Sequence, residues 1–317
     1  MTNGNKGTIV VLQGGWSAER EISLSSGTQV ACALGEAGYT VSSFDVTRDL
    51  QALVCALNPP PDAVFNALHG TGGEDGVIQG VLEMLDIPYT HSGVSASALA
   101  MNKAMAKIYL ESMGIRTPRG CMVPMPLTEH PLPRPYIAKP VCDGSSVGIC
   151  YIDEGDTVDE INRVLAAQKE ILCETYIKGR ELTVGVLDDQ ALAVTEAMLD
   201  NQPIYSYRGK YDEKQGSPHK LEPDLPTGVR EQALEIALRA HQTLGCRGTS
   251  RADFRLDPND ELFLLEINTQ PGMTPRSLVP EQAAYVGISF PALCERLIDL
   301  ALRDRKKDRK DQRKEDS

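Results

Sequence analysis

The chain has 317 residues, 41% of them hydrophobic and 24% charged, with a formal net charge of −12; that length predicts two or three domains with sizeable cores. The acidic balance argues against a general nucleic-acid binder, no apolar run nears the ~20 residues of a membrane span, and the N-terminus lacks the basic start and long apolar run of a secretory leader. Eight scattered cysteines without a C-x-x-C pair predict free thiols in a reducing cytoplasm rather than a zinc site or a disulfide framework.

In chain order, Thr8–Leu12 is a short β-branched run expected to form a buried strand. The pair Gly14-Gly15 breaks it, and a helix is expected to run to Ala37, with Gly38 as its stop. Tyr39–Phe44 and Asp62–Leu68 predict two further strands, and this strand–helix–strand order implies a parallel sheet covered by helices. Ligands in such sheets bind outside the carboxyl ends of the strands, where the loops 14–19 and 69–76 fall. Neither loop is G-x-G-x-x-G or contains G-K-[ST], so a dinucleotide fold or Walker loop is unsupported. Glu19 is a candidate partner for a substrate amine.

Ser95–Met113 reads as one helix, with Lys103 and Lys107 four apart on a shared face and Lys107 expected in solvent. Residues 119–135 are rich in proline and read as a winding linker. Lys139 sits inside the strand Tyr136–Pro140, and the small-residue loop 141–148 joins it to the strand Ile149–Ile152, which reads as a mobile hairpin lid. After a helix at 157–168, the strand Glu170–Ile177 presents Glu174, with Glu181 nearby to accept hydrogen bonds from hydroxyls. The stretch 201–226 is polar, tyrosine-rich and too long for an ordinary connection. Arg230–Leu244 is a helix.

Two strands close the pattern. In Thr249–Asp257, Arg251 and Asp253 share a face; in the strand from Phe263, Glu266 and Asn268 do. A four-residue turn over Asp257–Asp260 pairs Arg251 with Glu266, so the four polar side chains converge. A cation beside three oxygen donors is odd as core packing and suits Mg²⁺ holding an anionic phosphate. The charged tail from Arg303 has almost no apolar residues and reads as a solvated helix extension.

With these residues in place the sequence resembles the D-alanine–D-alanine ligases of the ATP-grasp superfamily. The resemblance runs from Thr8 to about Leu302 and rests on GGWSAEREISLSSG, HGTGGEDGVIQG, PYTHSGVSASALAMNK, AKPVCDGSSVGI, SRADFRLD and LLEINTQPGMTPRSLVP. It implies an α/β N-terminal parallel-sheet domain (1–100), then an α+β ATP-grasp fold with a central lid domain (101–179) and a catalytic domain (180–304), and the charged tail (305–317). It implies that Asp253, Glu266 and Asn268 bind two Mg²⁺, for which Mn²⁺ can substitute, with Glu266 shared. It places Lys103, Lys139, Ser146 and Lys210 on the nucleotide, Glu174, Thr175, Tyr176 and Ile177 along the adenine, and Glu181 on the ribose. Glu19, Ser145 and Tyr211 would form a network closing the site. Arg251 and the Gly272 N–H would stabilise developing negative charge. Ser277 and Leu278 would meet the second alanine, and His69 would lie near the first. The implied reaction joins two D-alanines through an acyl phosphate, with ATP as co-substrate, in a cytoplasmic homodimer serving peptidoglycan synthesis. An ATP-grasp ligase of D-lactate or of another D-amino acid, and a non-catalytic nucleotide-binding module, are the alternatives; Tyr211 after Lys210 favours the amine acceptor.

Overall fold

A computed structural model describes residues 6–142, 148–198 and 218–315, with side chains as far as Lys306. Strands β1 (Thr8–Gly14), β2 (Thr40–Val46) and β3 (Ala63–Asn66) form a parallel sheet in the order β2-β1-β3. Helix α1 (Arg20–Glu36) covers one face and ends before Gly38, whose φ of +99° fits the expected stop. A short helix, α2 (Leu50–Ala56), adds to the expected elements; Asp49 caps it by accepting from the Ala52 N–H. Helix α3 (Val77–Met84) follows the loop 69–76.

The expected single helix over 95–113 is two, α4 (Val94–Met101) and α5 (Lys103–Ser112). Asn102 makes the break: its backbone is extended (ψ 91°), and its side chain accepts from the Met105 N–H as the cap of α5. Composition registers only helix formers there and misses the cap. The proline-rich stretch likewise contains a strand, β4 (Gly120–Pro124), which pairs with β7 (Glu170–Thr175). With β5 (Tyr136–Pro140) and β6 (Cys150–Ile152) they form an antiparallel sheet in the order β4-β7-β5-β6. Helix α6 (Val158–Val164) starts on a capping box between Thr157 and Glu160.

The third sheet runs β10-β9-β8-β11-β12, from β8 (Arg180–Leu187), β9 (Gln190–Ala197), β10 (His219–Leu221), β11 (Thr249–Leu256) and β12 (Leu262–Asn268). Helices α7 (Val229–Thr243) and α8 (Leu278–Tyr285) pack against it, and α9 (Phe290–Glu315) is the last described element. Two cores tie these sheets to distant parts of the chain. One joins Leu182, Val184, Phe254, Leu264 and Ile267 of the third sheet to Leu110 of α5 and Ile115 beyond it. The other joins Ile9, Val11 and Phe65 of the first sheet to Met273, Leu293 and Leu297.

Candidate functional site

The hairpin β11–β12 carries the four converging residues, in a register the sequence did not predict. The structure pairs Arg251 with Asn268 and Asp253 with Glu266. The turn is one residue longer than expected because the Asp257 carboxylate accepts from both the Asn259 and Glu261 N–H groups at 2.8 Å. Alone, that shift would have turned Glu266 and Asn268 to the opposite face. A bulge between Asp253 and Phe254 adds a second shift and restores the face. The side chains therefore do share one surface, displaced by two residues from the expected pairing.

On that surface Arg251 grips its own neighbour, with Nε donating to Asp253 Oδ1 and Nη2 to Oδ2, both at 2.8 Å. From β8, directly opposite, Thr183 Oγ1 donates to Asp253 Oδ1 at 2.6 Å. Lys103 Nζ, at the first turn of α5, lies 3.7 Å from Glu266 Oε2. Asn268 Oδ1 accepts from the Gln270 N–H at 2.8 Å, which fixes the orientation of the amide. Among the described residues no three His, Cys, Asp or Glu side chains cluster as a self-sufficient metal cage. Two carboxylates and an amide oxygen, each already drawn to a cation or an N–H, are hard donors of the kind Mg²⁺ accepts while keeping phosphate oxygens for its other positions. The residues present fit a divalent cation.

A second cluster lies between α5 and the four-stranded sheet. Glu174 is 3% exposed. Its Oε2 lies 2.6 Å from Lys139 Nζ of β5, and its Oε1 accepts from Lys107 Nζ at 2.9 Å. Burial raises the Glu174 carboxyl, but the charges of Lys139 and Lys107 outweigh it and hold it below the ordinary carboxylate range. Lys107, expected in solvent, is buried instead; the partner that holds it is 67 residues away in sequence, beyond the reach of helix periodicity. Beyond Glu174, Thr175 is exposed while Tyr176 and Ile177 are half-buried. Arg255 lies over the Tyr176 ring, 5.5 Å from its centroid, and 3.5 Å from Glu181, its cross-strand neighbour.

The third cluster is built on the ends of β1 and β3. Glu19 caps α1 without using its side chain, and its carboxylate is buried. Ser17 Oγ accepts from the Glu19 N–H at 3.1 Å and donates to the His69 carbonyl at 2.6 Å. Gly70 then turns with φ +69°, and a Cβ there would stand 2.7 Å from Glu19 Oε2; only glycine lets the loop come this close. His69 is held by Glu74 at Nδ1 (3.2 Å) and Ser26 at Nε2 (3.3 Å).

Gln270, 1% exposed, joins this cluster to the first. Its Oε1 accepts from Asn66 Nδ2 at 2.8 Å and its Nε2 donates to the Leu68 carbonyl. Gly272 is half-buried, and Ser277 Oγ accepts from the Thr274 N–H at 3.1 Å just before Leu278 opens α8. Arg276 is exposed. Ser145, Ser146, Lys210 and Tyr211 lie outside the described residues. The sequence alone does not reveal Lys107, Thr183, Gln270, Asn66 and Glu74 as parts of these clusters. For Glu74 and Gln270, their places in HGTGGEDG and LLEINTQPG are a signal; for the others only contacts between distant parts of the chain disclose the role.

The D-ala D-ala ligase C-terminus model matches residues 126–299, and the N-terminus model matches 51–92. The D-alanine–D-alanine ligase of Acidiphilium cryptum is 52% identical over 92% of this chain and 98% of its own, and that of Zymomonas mobilis is 49% identical over 94% and 95%. Among solved structures, the Bacillus anthracis D-alanine–D-alanine ligase complexed with ATP superposes with a TM-score of 0.81 at 28% identity, covering 95% of this chain and 99% of that one. Sequence identity spread over nearly the whole of both chains, on the same fold, leads to one conclusion: this chain belongs to the D-alanine–D-alanine ligase family.

Proposed function

We propose that this protein condenses two D-alanines into D-alanyl-D-alanine at the expense of ATP, releasing ADP and phosphate, for peptidoglycan precursor synthesis. The observation that carries this is the joint placement of Arg251, Asp253, Glu266 and Asn268 on one surface of β11–β12 in a member of this family. A carboxylate acylates poorly because its oxygen is a poor leaving group. The first alanine's carboxylate oxygen attacks the terminal phosphorus of ATP, ADP departs, and an acyl phosphate results. The amine of the second alanine attacks the acyl carbon, the C–O bond to phosphate breaks, and the amine loses a proton.

The chain's contribution is position and charge. The buried Glu19 carboxylate suits the first alanine's ammonium, with His69 beside it. Arg251, clamped in two places by Asp253, presents a fixed cation where negative charge develops, with the Gly272 N–H as a second donor. Lys103, Lys139 and Lys210 suit the phosphates and the adenine side, and Ser146 suits the lid over them. Glu174 to Ile177 would border the adenine, and Glu181 the ribose. Ser277 and Leu278 would seat the second alanine's carboxylate, while Ser145 and Tyr211 would close the site against water. Asp253, Glu266 and Asn268 would hold two Mg²⁺, replaceable by Mn²⁺, with Glu266 between them. Bound metal supplies neutralisation of the phosphate charge. Three sheets in sequence support the division at about residues 100 and 179, and eight cysteines that form no disulfide among the described residues support a cytoplasmic protein. A homodimer is the assembly the resemblance implies.

The test is direct. Protein incubated with ATP, Mg²⁺ and D-alanine should yield the dipeptide and stoichiometric ADP. Absence of dipeptide with any D-amino acid ends the ligase proposal. Competition with D-lactate across pH distinguishes the acceptor, because an amine must lose its proton to attack and a hydroxy acid does not. Depsipeptide as the main product at neutral pH would overturn the choice of D-alanine.

A further inference from the structure

Helix α5 touches both sheets that flank the proposed nucleotide site. Its first N–H, from Lys103, donates to the Val141 carbonyl at 3.0 Å, at the end of β5. Ala104 packs with Val141 and Leu172 of the four-stranded sheet. On the other side, Leu110 and Ile115 pack with Leu264 and Ile267 of β12, and the Leu264 N–H donates to the Arg116 carbonyl at 2.9 Å. The helix is thus wedged between two sheets, and it offers each of them a lysine. Lys103 reaches Glu266 on β12, and one turn later Lys107 reaches Glu174 on β7. Both lysines line one small cleft, with Thr117, Leu264 and Glu266.

Among the described residues the Glu174 cluster is unbalanced. One carboxylate, 4% exposed at its side chain, faces two ammonium groups, exposed 10% and 6%. Each lysine takes a different carboxylate oxygen, so together they fix the rotation of the Glu174 carboxylate. A buried cluster with one charge in excess is costly by itself, and it is relieved by an anion or a polar ligand brought to the ammonium with the shorter route to the site. In this proposal Lys139 of β5, on one oxygen of Glu174, is that ammonium. Lys107 sits on the helix behind it.

We propose that Lys107 is a positioning residue for nucleotide binding, which occupies one oxygen of Glu174 so that Lys139 and Glu174 together present a fixed donor and acceptor to the nucleotide. The inference rests on the ligase reading for the identity of the nucleotide. With Lys107 absent, Glu174 Oε1 would lose its donor, the carboxylate could rotate to offer both oxygens to Lys139, and the pair, now neutral, would hold a ligand less well. The effect would fall on ATP, with the alanine sites spared, because Lys107 spends its ammonium on Glu174, whereas Ser17 positions the Glu19 turn and Asp253 clamps Arg251.

The experiment compares wild type with Lys107→Met and Lys107→Arg. Binding of a non-hydrolysable ATP analogue is measured by calorimetry, and KM for ATP and for D-alanine by ADP release. Lys107→Met should weaken the analogue and raise KM for ATP by about 10- to 30-fold, while KM for D-alanine moves less than about 3-fold. Lys107→Arg should restore most of the loss, since a guanidinium keeps both the charge and the donor. If Lys107→Met does not fold, the arginine variant decides: analogue affinity within about 3-fold of wild type upholds the proposal, and a larger loss overturns it. A folded Lys107→Met that binds the analogue like wild type also overturns it, as does an equal rise in both KM values, which would mark a purely structural ion pair. Wild type that binds the analogue but forms no dipeptide would instead count against the ligase reading, because the binding comparison stands without turnover.

Discussion

Replacing Gln270 by Met keeps its length and shape and removes both side-chain hydrogen bonds that tie β12 to the loop after β3. Asn66 Nδ2 retains the Gly73 carbonyl at 3.1 Å, so it loses one partner of two. The Leu68 carbonyl loses this donor in a place water does not reach, since Leu68 is 1% exposed. Two net hydrogen bonds and a stranded carbonyl amount to about 2–6 kcal/mol, a large share of the ~5–15 kcal/mol that holds a typical domain folded. The Gln270 main-chain N–H is unchanged and still fixes Asn268, so the proposed metal-holding amide keeps its orientation while the loop carrying His69 and Glu74 loosens. Urea unfolding should therefore show that loss, and kcat/KM for D-alanine should fall by more than KM for ATP rises. A stability change under about 1 kcal/mol with unaltered D-alanine kinetics would refute the view that this one amide couples the two clusters.

Thr183→Val removes the hydroxyl that donates to Asp253 at 2.6 Å; turnover should drop about 10-fold with Tm nearly unchanged, and wild-type turnover would show Arg251 alone suffices to hold the carboxylate. Gly70→Ala places a Cβ 2.7 Å from Glu19 Oε2 at a positive φ, so KM for D-alanine should rise while ATP-analogue affinity holds; an equal loss of both would mean the whole fold had shifted. His241 is buried and bonded to Ser250 Oγ at 2.7 Å, and burial lowers its imidazole to about 4. The unfolded chain binds this proton from about pH 6.5 downward and the folded chain does not, so this stabilisation is complete above that pH and drains away as pH falls toward 4, at roughly 1 kcal/mol per pH unit. His91, lowered by burial to about 3, adds to the same window. In His241→Gln the stability curve between pH 6.5 and 4 should be flatter by that amount, and parallel curves would refute the assignment.

Much of the site was legible because its chemistry repeats on a period. Arg251 and Asp253, then Glu266 and Asn268, each stand two apart on a strand, and no register with the correct face can separate them. The pairing itself was not legible. It depends on how many N–H groups Asp257 captures in the turn, and on a bulge, both local choices that apolar alternation does not encode. Lys107 shows the same limit from the other side. Helix spacing placed it beside Lys103, but whether a lysine is solvated or buried depends on a carboxylate supplied by β7. The break at Asn102 was readable in principle, since a short polar residue before a helical run is a cap signal, and the run of good helix formers on both sides hid it. Glu74 lay in a motif already singled out for its glycines.

The first sheet does not own its core. Ile9, Val11 and Phe65 share their core with Val30 and Leu34 of α1 and with Leu293 and Leu297 of α9, and Lys6 pairs with Glu295 of the latter helix. A ribosome making this chain delivers the first three strands long before the residues that seal them, at about 5–20 residues per second. For that interval the nascent N-terminal unit has that face covered by α1 alone, and it carries the exposed edges of a parallel sheet. Loss of the apolar turns of α9 would prolong this state indefinitely, so a premature stop near residue 290 should leave an aggregating product even though every residue proposed for catalysis had already been synthesised.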